Sequence, residues 1–134
     1  MAKMEKTESE WRRELTPDQY RVLREKATER PWTGVHNATK AAGRFRCAGC
    51  GAELFRSETK FESGSGWPSF FAPAAEEALR TDRDWSLLGP RTEVLCAACD
   101  GHLGHVFEDG PHPTGLRYCI NSVALDFEPD DKGD

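Results

Sequence analysis

Two pairs of closely spaced cysteines constrain the fold of this chain more than any other feature of its sequence. Cys47 pairs with Cys50 and Cys96 pairs with Cys99, each in a Cys-x-x-Cys motif. Each motif supplies two thiolates from one tight turn, and two motifs complete the tetrahedral coordination of one zinc ion. One motif alone would be ambiguous with a thioredoxin-type redox pair, whereas two favour a structural zinc site. We expect the ion to join two distant turns and to do no chemistry, because a closed four-thiolate site has no open position.

The fifth cysteine, Cys119, has no partner in such a motif. Strand alternation predicts that it shares one face with Arg117 and Asn121, while apolar side chains lie on the other. A guanidinium close to a thiol favours the thiolate, which is the nucleophilic form. A buried structural cysteine is the alternative interpretation, and it is the common one for a lone cysteine. The cation and the amide on the same face favour a reactive thiol here.

Length and charge limit the classes of protein to which the chain can belong. The 134 residues predict one domain, 1–134, with flexible segments at 1–14 and 128–134 apart from a docked Trp11. The formal net charge of -5 argues against a nucleic-acid or anionic-membrane partner. No apolar run approaches a membrane span and the charged residues 1–14 do not resemble a signal peptide, which predicts a cytoplasmic protein. In that reducing compartment, the five cysteines indicate metal binding and thiol chemistry.

The local sequence predicts one N-terminal helix followed by a β domain. Thr16 as N-cap, Pro17 at the first helical position and Gln19 in a capping box mark the start of a helix that ends before Pro31. From Gly34 onward, short apolar runs cut by turn residues are typical of strands, with one short helix at 73–79. The candidate strands are 44–47, 53–56, 67–71, 85–88, 91–95, 103–107, 116–121 and 123–127.

Two further segments carry candidate functional residues. His102 and His105 are three residues apart, so in a regular strand they would face opposite sides. Both reach one site only if Gly101 or Gly104 marks a turn or a bulge. They could alternatively be metal ligands or plain surface residues. In the loop that contains Ser65, Trp67 is either a core residue or a hydrophobic wall for an apolar substrate group.

Together these segments resemble the B-type peptide methionine sulfoxide reductases, which reduce methionine-R-sulfoxide. The resemblance covers about 11–127 and is highly specific. The matching segments are Arg30-Pro31-Trp32-Thr33-Gly34, both cysteine motifs, Lys60-Phe61-Glu62-Ser63-Gly64, Gly66-Trp67-Pro68-Ser69-Phe70, His102-Leu103-Gly104-His105-Val106-Phe107 and Arg117-Tyr118-Cys119-Ile120-Asn121-Ser122. It implies a mainly β fold of two antiparallel sheets, forming a sandwich or barrel-like core with short flanking helices and a four-cysteine zinc site. It also implies a shallow exposed site on one sheet.

The resemblance implies a catalytic role for Cys119 and for the groups around it. Cys119 is the nucleophile that attacks the sulfoxide sulfur, which releases methionine and leaves a cysteine sulfenic acid. Arg117 stabilises the thiolate. His102, His105 and Asn121 hold and protonate the sulfoxide oxygen, because an unprotonated oxide is a poor leaving group. The list of implied site residues is completed by Asp109, which orients a histidine or a water molecule, and by Trp67, which takes the substrate methyl group.

One position departs from the family pattern. Many members carry a cysteine between the two glycines before Trp-Pro-Ser-Phe, and that thiol resolves the sulfenic acid into an intramolecular disulfide. Here the position is Ser65. Either an external thiol, such as thioredoxin or a small thiol, recycles this enzyme, or Ser65 was introduced to trap an intermediate. The implied activity is protein repair under oxidative stress by an oxidoreductase that acts on sulfur. The resemblance implies peptide-bound methionine-R-sulfoxide as the substrate and leaves open whether the free amino acid is also reduced.

A non-enzymatic hypothesis competes with this one. A zinc-stapled β binding module, in which Trp67 anchors a peptide partner and Cys119 is incidental, explains the two cysteine motifs equally well. It does not explain why one strand face gathers Arg117, Cys119 and Asn121. A zinc hydrolase is excluded because four thiolates saturate the metal.

Overall fold

A short helix precedes the one that the sequence predicts. The structure, a computed structural model, describes residues 6–86 and 89–130, without the side chains at 37, 38 and 84–90. Helix α1 (Glu8–Glu14) begins at Thr7, whose side chain accepts from the Glu10 amide while Glu10 accepts from the Thr7 amide. Trp11, in the middle of α1, is buried. The prediction that 1–14 is flexible is therefore wrong for α1, because a capping box and a buried tryptophan stabilise the helix; residues 1–5 lie outside the described residues.

Helix α2 (Pro17–Glu25) confirms the predicted capping box. Thr16 and Gln19 exchange the two expected hydrogen bonds, at 3.0 and 3.2 Å. The helix ends where Lys26 takes a left-handed conformation, with φ 62°. Val22 and Leu23 are buried. Among the described residues, no helix is long and apolar enough to cross a membrane.

The remaining elements form two antiparallel sheets, which confirms the mainly β class. The strands are β1 (Gly43–Cys47), β2 (Glu53–Arg56), β3 (Lys60–Phe61), β4 (Ser69–Phe70), β5 (Leu79–Ser86), β6 (Gly89–Cys96), β7 (His102–Phe107), β8 (Arg117–Ile120) and β9 (Leu125–Pro129). One sheet has the order β2-β1-β9 and the other has the order β3-β4-β8-β7-β6-β5. Short 3-10 helices occur at Val35–Ala38, Ser57–Thr59, Glu76–Ala78 and Ser122–Ala124.

Several predicted boundaries differ from the observed ones. The helix predicted at 73–79 is only the 3-10 turn Glu76–Ala78, and the strand predicted at 85–88 begins earlier, as β5, with its last two residues outside the described residues. The flexible tail predicted from 128 is wrong at its start, because Glu128 and Pro129 belong to β9 and pair with β1. Glu128 accepts a hydrogen bond from Arg46 at 2.8 Å, so a cation on β1 compensates its charge.

Aromatic side chains join the two sheets. Phe70 of the six-stranded sheet is stacked on Phe55 of the three-stranded sheet, with ring centroids 4.3 Å apart. The Phe45 ring contacts the Phe70 ring edge-on, with the ring centroids 5.1 Å apart. All three are completely buried, and Ile120 and Val94 extend this core along the six-stranded sheet. The core therefore covers one face of the six-stranded sheet and leaves the other face for polar side chains.

Candidate functional site

Four polar residues form a single row across the six-stranded sheet. Ser69 pairs with Cys119 between β4 and β8, Cys119 pairs with His105 between β8 and β7, and His105 pairs with Glu93 between β7 and β6. Directly opposed residues of antiparallel strands project to the same face. The sheet therefore places a thiol, an imidazole, a hydroxyl and a carboxylate side by side, although they are far apart in the sequence.

A bulge in β7 brings the two histidines to this same face. Leu95 pairs with His102 but Val94 pairs with Gly104, so β7 carries one extra residue, Leu103. The extra residue restores His102 to the face of His105, and their ring centroids lie 5.5 Å apart. The predicted irregularity next to Gly104 is thus confirmed. A side chain at Gly104 would place its Cβ 2.0 Å from the Cys119 carbonyl oxygen, so the close approach of β7 and β8 requires glycine.

The thiol of Cys119 opens into a small cavity of about 70 Å³. Cys119 itself is half-buried. The cavity brings together four residues that the sequence analysis had predicted for the site, and its size suits a small group and not a whole peptide. It is lined by Thr28, Trp67, Arg91, Gly104, His105, Phe107, Cys119 and Asn121.

Arg117 stands beside the thiol and is held by Asp109. The guanidinium donates two hydrogen bonds to this carboxylate, Nε to Oδ1 at 2.9 Å and Nη2 to Oδ2 at 3.1 Å. It also lies 4.5 Å from the centroid of the Phe107 ring. The hydrogen bond from Arg117 lowers the pKa of Asp109, and the pKa of Arg117 is raised first by Asp109 and further by Cys119. Asp109 therefore orients the guanidinium, a role that the sequence did not predict.

His102 is held from behind by Glu93, which the sequence analysis did not identify. The His102 Nδ1 lies 2.8 Å from Glu93 Oε2, and the Lys26 ammonium lies 3.3 Å from Glu93 Oε1. Both His102 and Glu93 are buried. Burial lowers the pKa of His102, against the opposing effect of Glu93. The available signal was a charged residue in the middle of a strand predicted at 91–95.

Glu29 is a second residue that sequence reasoning missed. Its amide donates to Asn121 Oδ1 at 2.9 Å, and its carbonyl accepts from the Trp67 indole at 3.0 Å. Its carboxylate in turn accepts from the Val123 amide at 3.1 Å, and burial raises the pKa of Glu29. Asn121 also donates to the Leu103 carbonyl at 3.0 Å. These hydrogen bonds fix the side chains of Trp67 and Asn121. No local sequence pattern predicted the hydrogen bonds.

The loop before β4 places Ser65 directly against Cys119. Gly64 and Gly66 take left-handed conformations, with φ 75° and 95°. The Ser65 Oγ lies 3.5 Å from the Cys119 Sγ. The Ser65 hydroxyl is therefore in direct contact with the sulfur of Cys119.

The four paired cysteines lie apart from this cavity, where the two sheets meet α1 and α2. Their sulfur atoms all lie within 4.8 Å of one another, with 3.7 Å between Cys47 and Cys99 and 3.5 Å between Cys50 and Cys96. A tetrahedron with Zn–S bonds of about 2.3 Å has edges of roughly 3.8 Å. The sulfur positions therefore fit a four-thiolate metal site. Because Cys47 ends β1 and Cys96 ends β6, a bound ion would join the two sheets.

The two cysteine turns have the same backbone design. Gly51 donates to the Cys47 carbonyl at 2.8 Å, and Asp100 donates to the Cys96 carbonyl at 2.7 Å. Gly51 and Asp100 both take left-handed conformations, with φ 83° and 63°. In the first turn the Gly49 amide donates to the Cys47 sulfur at 3.3 Å. Amides directed at sulfur stabilise thiolates, which is the form that binds a metal.

Comparisons with known proteins agree with this geometry. Residues 15–129 match the SelR domain family. The chain is 62% identical over 127 residues to the peptide methionine sulfoxide reductase MsrB of Bradyrhizobium diazoefficiens, covering 95% of this chain and 91% of the relative. It is 60% identical over 131 residues to the protein of that name from Pseudomonas putida, covering 98% of each chain. A relative of the same name from Methanosarcina barkeri is 55% identical over 130 residues, 97% of this chain and 92% of its own length.

Proposed function

The chain belongs to the SelR-domain family of peptide methionine sulfoxide reductases, and from that premise we propose that it reduces methionine-R-sulfoxide in proteins and peptides to methionine. The observation that carries the proposal is the pairing of Cys119 with His105 in one cavity bounded by Trp67. A nucleophile, a proton-bearing group and an apolar wall are the three parts that this reduction needs.

The first half-reaction uses Cys119 as the reductant. Its thiolate attacks the sulfoxide sulfur to form an S–S bond, and the protonated oxygen leaves as water. A water molecule then attacks the Cys119 sulfur, the S–S bond breaks, and methionine leaves. The sulfoxide sulfur gains two electrons, the cysteine sulfur loses them, and Cys119 is left as a sulfenic acid. Arg117 favours the thiolate through its positive charge, and Asp109 keeps the guanidinium in place through two hydrogen bonds.

Protonation of the departing oxygen is the role of the histidine side of the cavity. We assign the contact with the oxygen to His105, which lines the cavity, together with the remaining N–H of Asn121. His102 stands behind His105, where Glu93 holds its Nδ1. Its pKa is lowered by burial, which favours the neutral imidazole near pH 7.

Selectivity for one sulfoxide stereoisomer follows because the methyl group and the oxygen of the substrate occupy separate positions in the cavity. The Trp67 ring, fixed by its hydrogen bond to Glu29, gives the methyl group an apolar surface. His105 gives the oxygen a polar one. With both positions filled, only one stereoisomer presents its sulfur to Cys119, and by family membership we assign the R form.

The four paired cysteines hold a structural Zn²⁺ in this proposal. The sulfur spacing fits the ion, and four thiolates saturate it, so it supplies a crosslink between the sheets and no reaction step. The residues that would hold it are Cys47, Cys50, Cys96 and Cys99.

Recycling of the sulfenic acid requires a thiol from outside the chain. The four zinc ligands are committed, and Ser65 cannot form a disulfide. An external thiol attacks the sulfenic acid to give a mixed disulfide and water, and a second thiol then releases Cys119. Thioredoxin or a small thiol fits this role. A thiol reductant and a four-thiolate site are both compatible with a reducing compartment such as the cytoplasm.

A single-turnover experiment tests the proposal. Reduced, zinc-loaded protein is mixed with methionine-R-sulfoxide in the absence of reductant, with methionine-S-sulfoxide as the matched control. We expect about one methionine per chain from the R form only, and a sulfenic acid on Cys119 that dimedone captures. If no methionine forms and Cys119 remains a free thiol, the reductase hypothesis fails and the zinc-stapled binding module replaces it.

A further inference from the structure

Three serine hydroxyls form a hydrogen-bonded chain that begins at the sulfur of Cys119. The Ser65 Oγ lies 3.5 Å from the Cys119 Sγ and 2.8 Å from the Ser63 Oγ. The Ser63 Oγ lies 2.7 Å from the Ser69 Oγ, and Ser69 donates to the Trp67 carbonyl at 3.1 Å. Ser69 is completely buried, so the far end of the chain is shielded from water.

The direction of each hydrogen bond can be assigned when Cys119 is a thiol. A carbonyl oxygen can only accept, so Ser69 directs its single proton to Trp67. Ser63 then donates to Ser69, and Ser65 donates to Ser63 at 2.8 Å in preference to the Trp67 carbonyl, which lies farther from its Oγ, at 3.5 Å. The Ser65 oxygen is left to accept the S–H of Cys119. In this state every hydroxyl points away from the sulfur.

The directions reverse when Cys119 loses its proton. A thiolate can only accept, so Ser65 turns its O–H toward the sulfur. Ser63 then donates to Ser65, and Ser69 donates to Ser63. Each hydroxyl still donates one hydrogen bond, so the reversal replaces a bond to the neutral Trp67 carbonyl with a stronger one to a charged sulfur.

We propose that the Ser65 hydroxyl donates a hydrogen bond to the Cys119 thiolate, and that Ser63 and Ser69 control the direction of that bond. Ser65 touches the reacting sulfur and is therefore a catalytic residue. Ser63 and Ser69 act through it and are positioning residues. The side chain at the resolving position stabilises the nucleophile instead of attacking its oxidised form.

The rate of Cys119 alkylation tests this proposal without any sulfoxide. Iodoacetamide modification of the full-length, zinc-loaded chain is followed by mass spectrometry between pH 5 and pH 9. S65A removes the donor, and we expect its pH profile to move about half a unit to one unit higher, with alkylation about threefold slower near neutral pH. S65T keeps a hydroxyl and should restore the wild-type profile. Because the readout is the thiol itself, failure here is distinguishable from failure of the proposed reductase activity.

A second variant tests the direction of the chain. S69A removes the acceptor to which Ser63 donates in the thiol state, so Ser63 can donate to Ser65 in both states and the Ser65 proton is free for the sulfur. We expect the S69A profile to lie at or below the wild-type pH, opposite to S65A. The matched control is S57A, since Ser57 accepts a hydrogen bond from Gly43 on the other sheet. An unshifted S65A profile, or an upward shift in S69A as large as that in S65A, would overturn the proposal; zinc content verifies folding in each variant.

Discussion

The four-cysteine cluster and the Cys119 cavity use the same side chain for opposite purposes. In the cluster, sulfur atoms are one another's neighbours within 4.8 Å, and three of the four cysteines are buried. Around Cys119 the neighbours are a hydroxyl, an imidazole and a guanidinium, and the thiol is half-buried. The difference teaches that the neighbouring groups and the access to small molecules decide what a thiol does. Secondary structure does not decide it, because Cys47, Cys96 and Cys119 all lie in strands.

Replacing Cys119, the nucleophile of the proposed reaction, should separate the two regions completely. C119S removes the thiolate and keeps the volume, so we expect methionine-R-sulfoxide reduction to fall by about 1000-fold or more. The zinc content and the melting temperature should remain those of the wild type. Steady-state assays, metal analysis and thermal unfolding on the same sample measure these effects, and a C119S protein that still reduces the sulfoxide would contradict the assigned nucleophile.

Replacing one cluster cysteine should affect the opposite property. C99S breaks the four-thiolate set, so we expect loss of zinc and a stability loss of roughly 3–4 kcal/mol. For a domain of this size that corresponds to a fall in melting temperature of about 10 °C. Single-turnover reduction should persist below the new transition, because the proposed mechanism assigns no reaction step to the cluster. A C99S protein that keeps its zinc and its melting temperature would show that the cluster is not a structural metal site.

Within the cavity, Glu29 should matter through the residues that it positions. E29A removes the acceptor of the Val123 amide and loosens the backbone that holds Trp67 and Asn121. We expect KM for methionine-R-sulfoxide to rise about tenfold, which corresponds to about 1.4 kcal/mol of lost binding free energy. The change in kcat should be smaller.

The matched control is E29Q, which keeps an oxygen acceptor and should stay close to wild type. Equal losses in E29A and E29Q would show that the negative charge of Glu29 matters and that the hydrogen bond does not. Initial rates over a range of substrate concentrations distinguish the two results.

The smallest effect concerns His102, which lies between the two regions. Its folded-state pKa is lowered by burial from the ordinary value of 6.5, so the unfolded chain binds the proton more readily. The stability that the neutral form of His102 contributes is therefore fully present above about pH 6.5. This contribution is lost as the pH falls toward the lower pKa of the folded state. Between pH 7.5 and pH 6 we expect His102 to contribute a loss of at most about 1 kcal/mol.

The variant H102N cannot take up this proton, so its urea-unfolding free energy should decline less over the same interval. The difference between the two slopes isolates His102 from other titrating groups. Parallel slopes for the two proteins would rule out this contribution.

The sequence predicted those parts of the molecule that local chemistry determines. The cysteine motifs, the capping box at Thr16 and the β-rich texture all depend on residues within a few positions of one another. The bulge in β7 was also predictable, because two histidines three residues apart can share a face only if a strand gains a residue. Cys119 came from the cysteine spacing and strand alternation, whereas the proposed roles of His105 and Trp67 came from the resemblance.

The rest depended on contacts between distant segments. Glu93 reaches His102 only through the pairing of β6 with β7, and Glu29 reaches Trp67 across a separate loop. Helix α1 was not predicted because its sequence is highly charged, which is typical of a flexible segment. The burial of Trp11 stabilises the helix. The end of β9 was missed because an acidic composition suggested a tail, whereas Arg46 on β1 neutralises Glu128.

The row formed by Ser69, Cys119, His105 and Glu93 has a consequence for how this protein can diverge. Neighbours in the row are separated by one interstrand step of about 4.8 Å, a distance that backbone hydrogen bonds set. Substitutions in the core can therefore accumulate without altering the spacing of the reacting groups. A one-residue insertion or deletion inside β7 or β8 would turn the following side chains to the opposite face. Changes of length should consequently be confined to the connecting loops over evolutionary time, while the strands that carry the row keep their length even as their amino acids change.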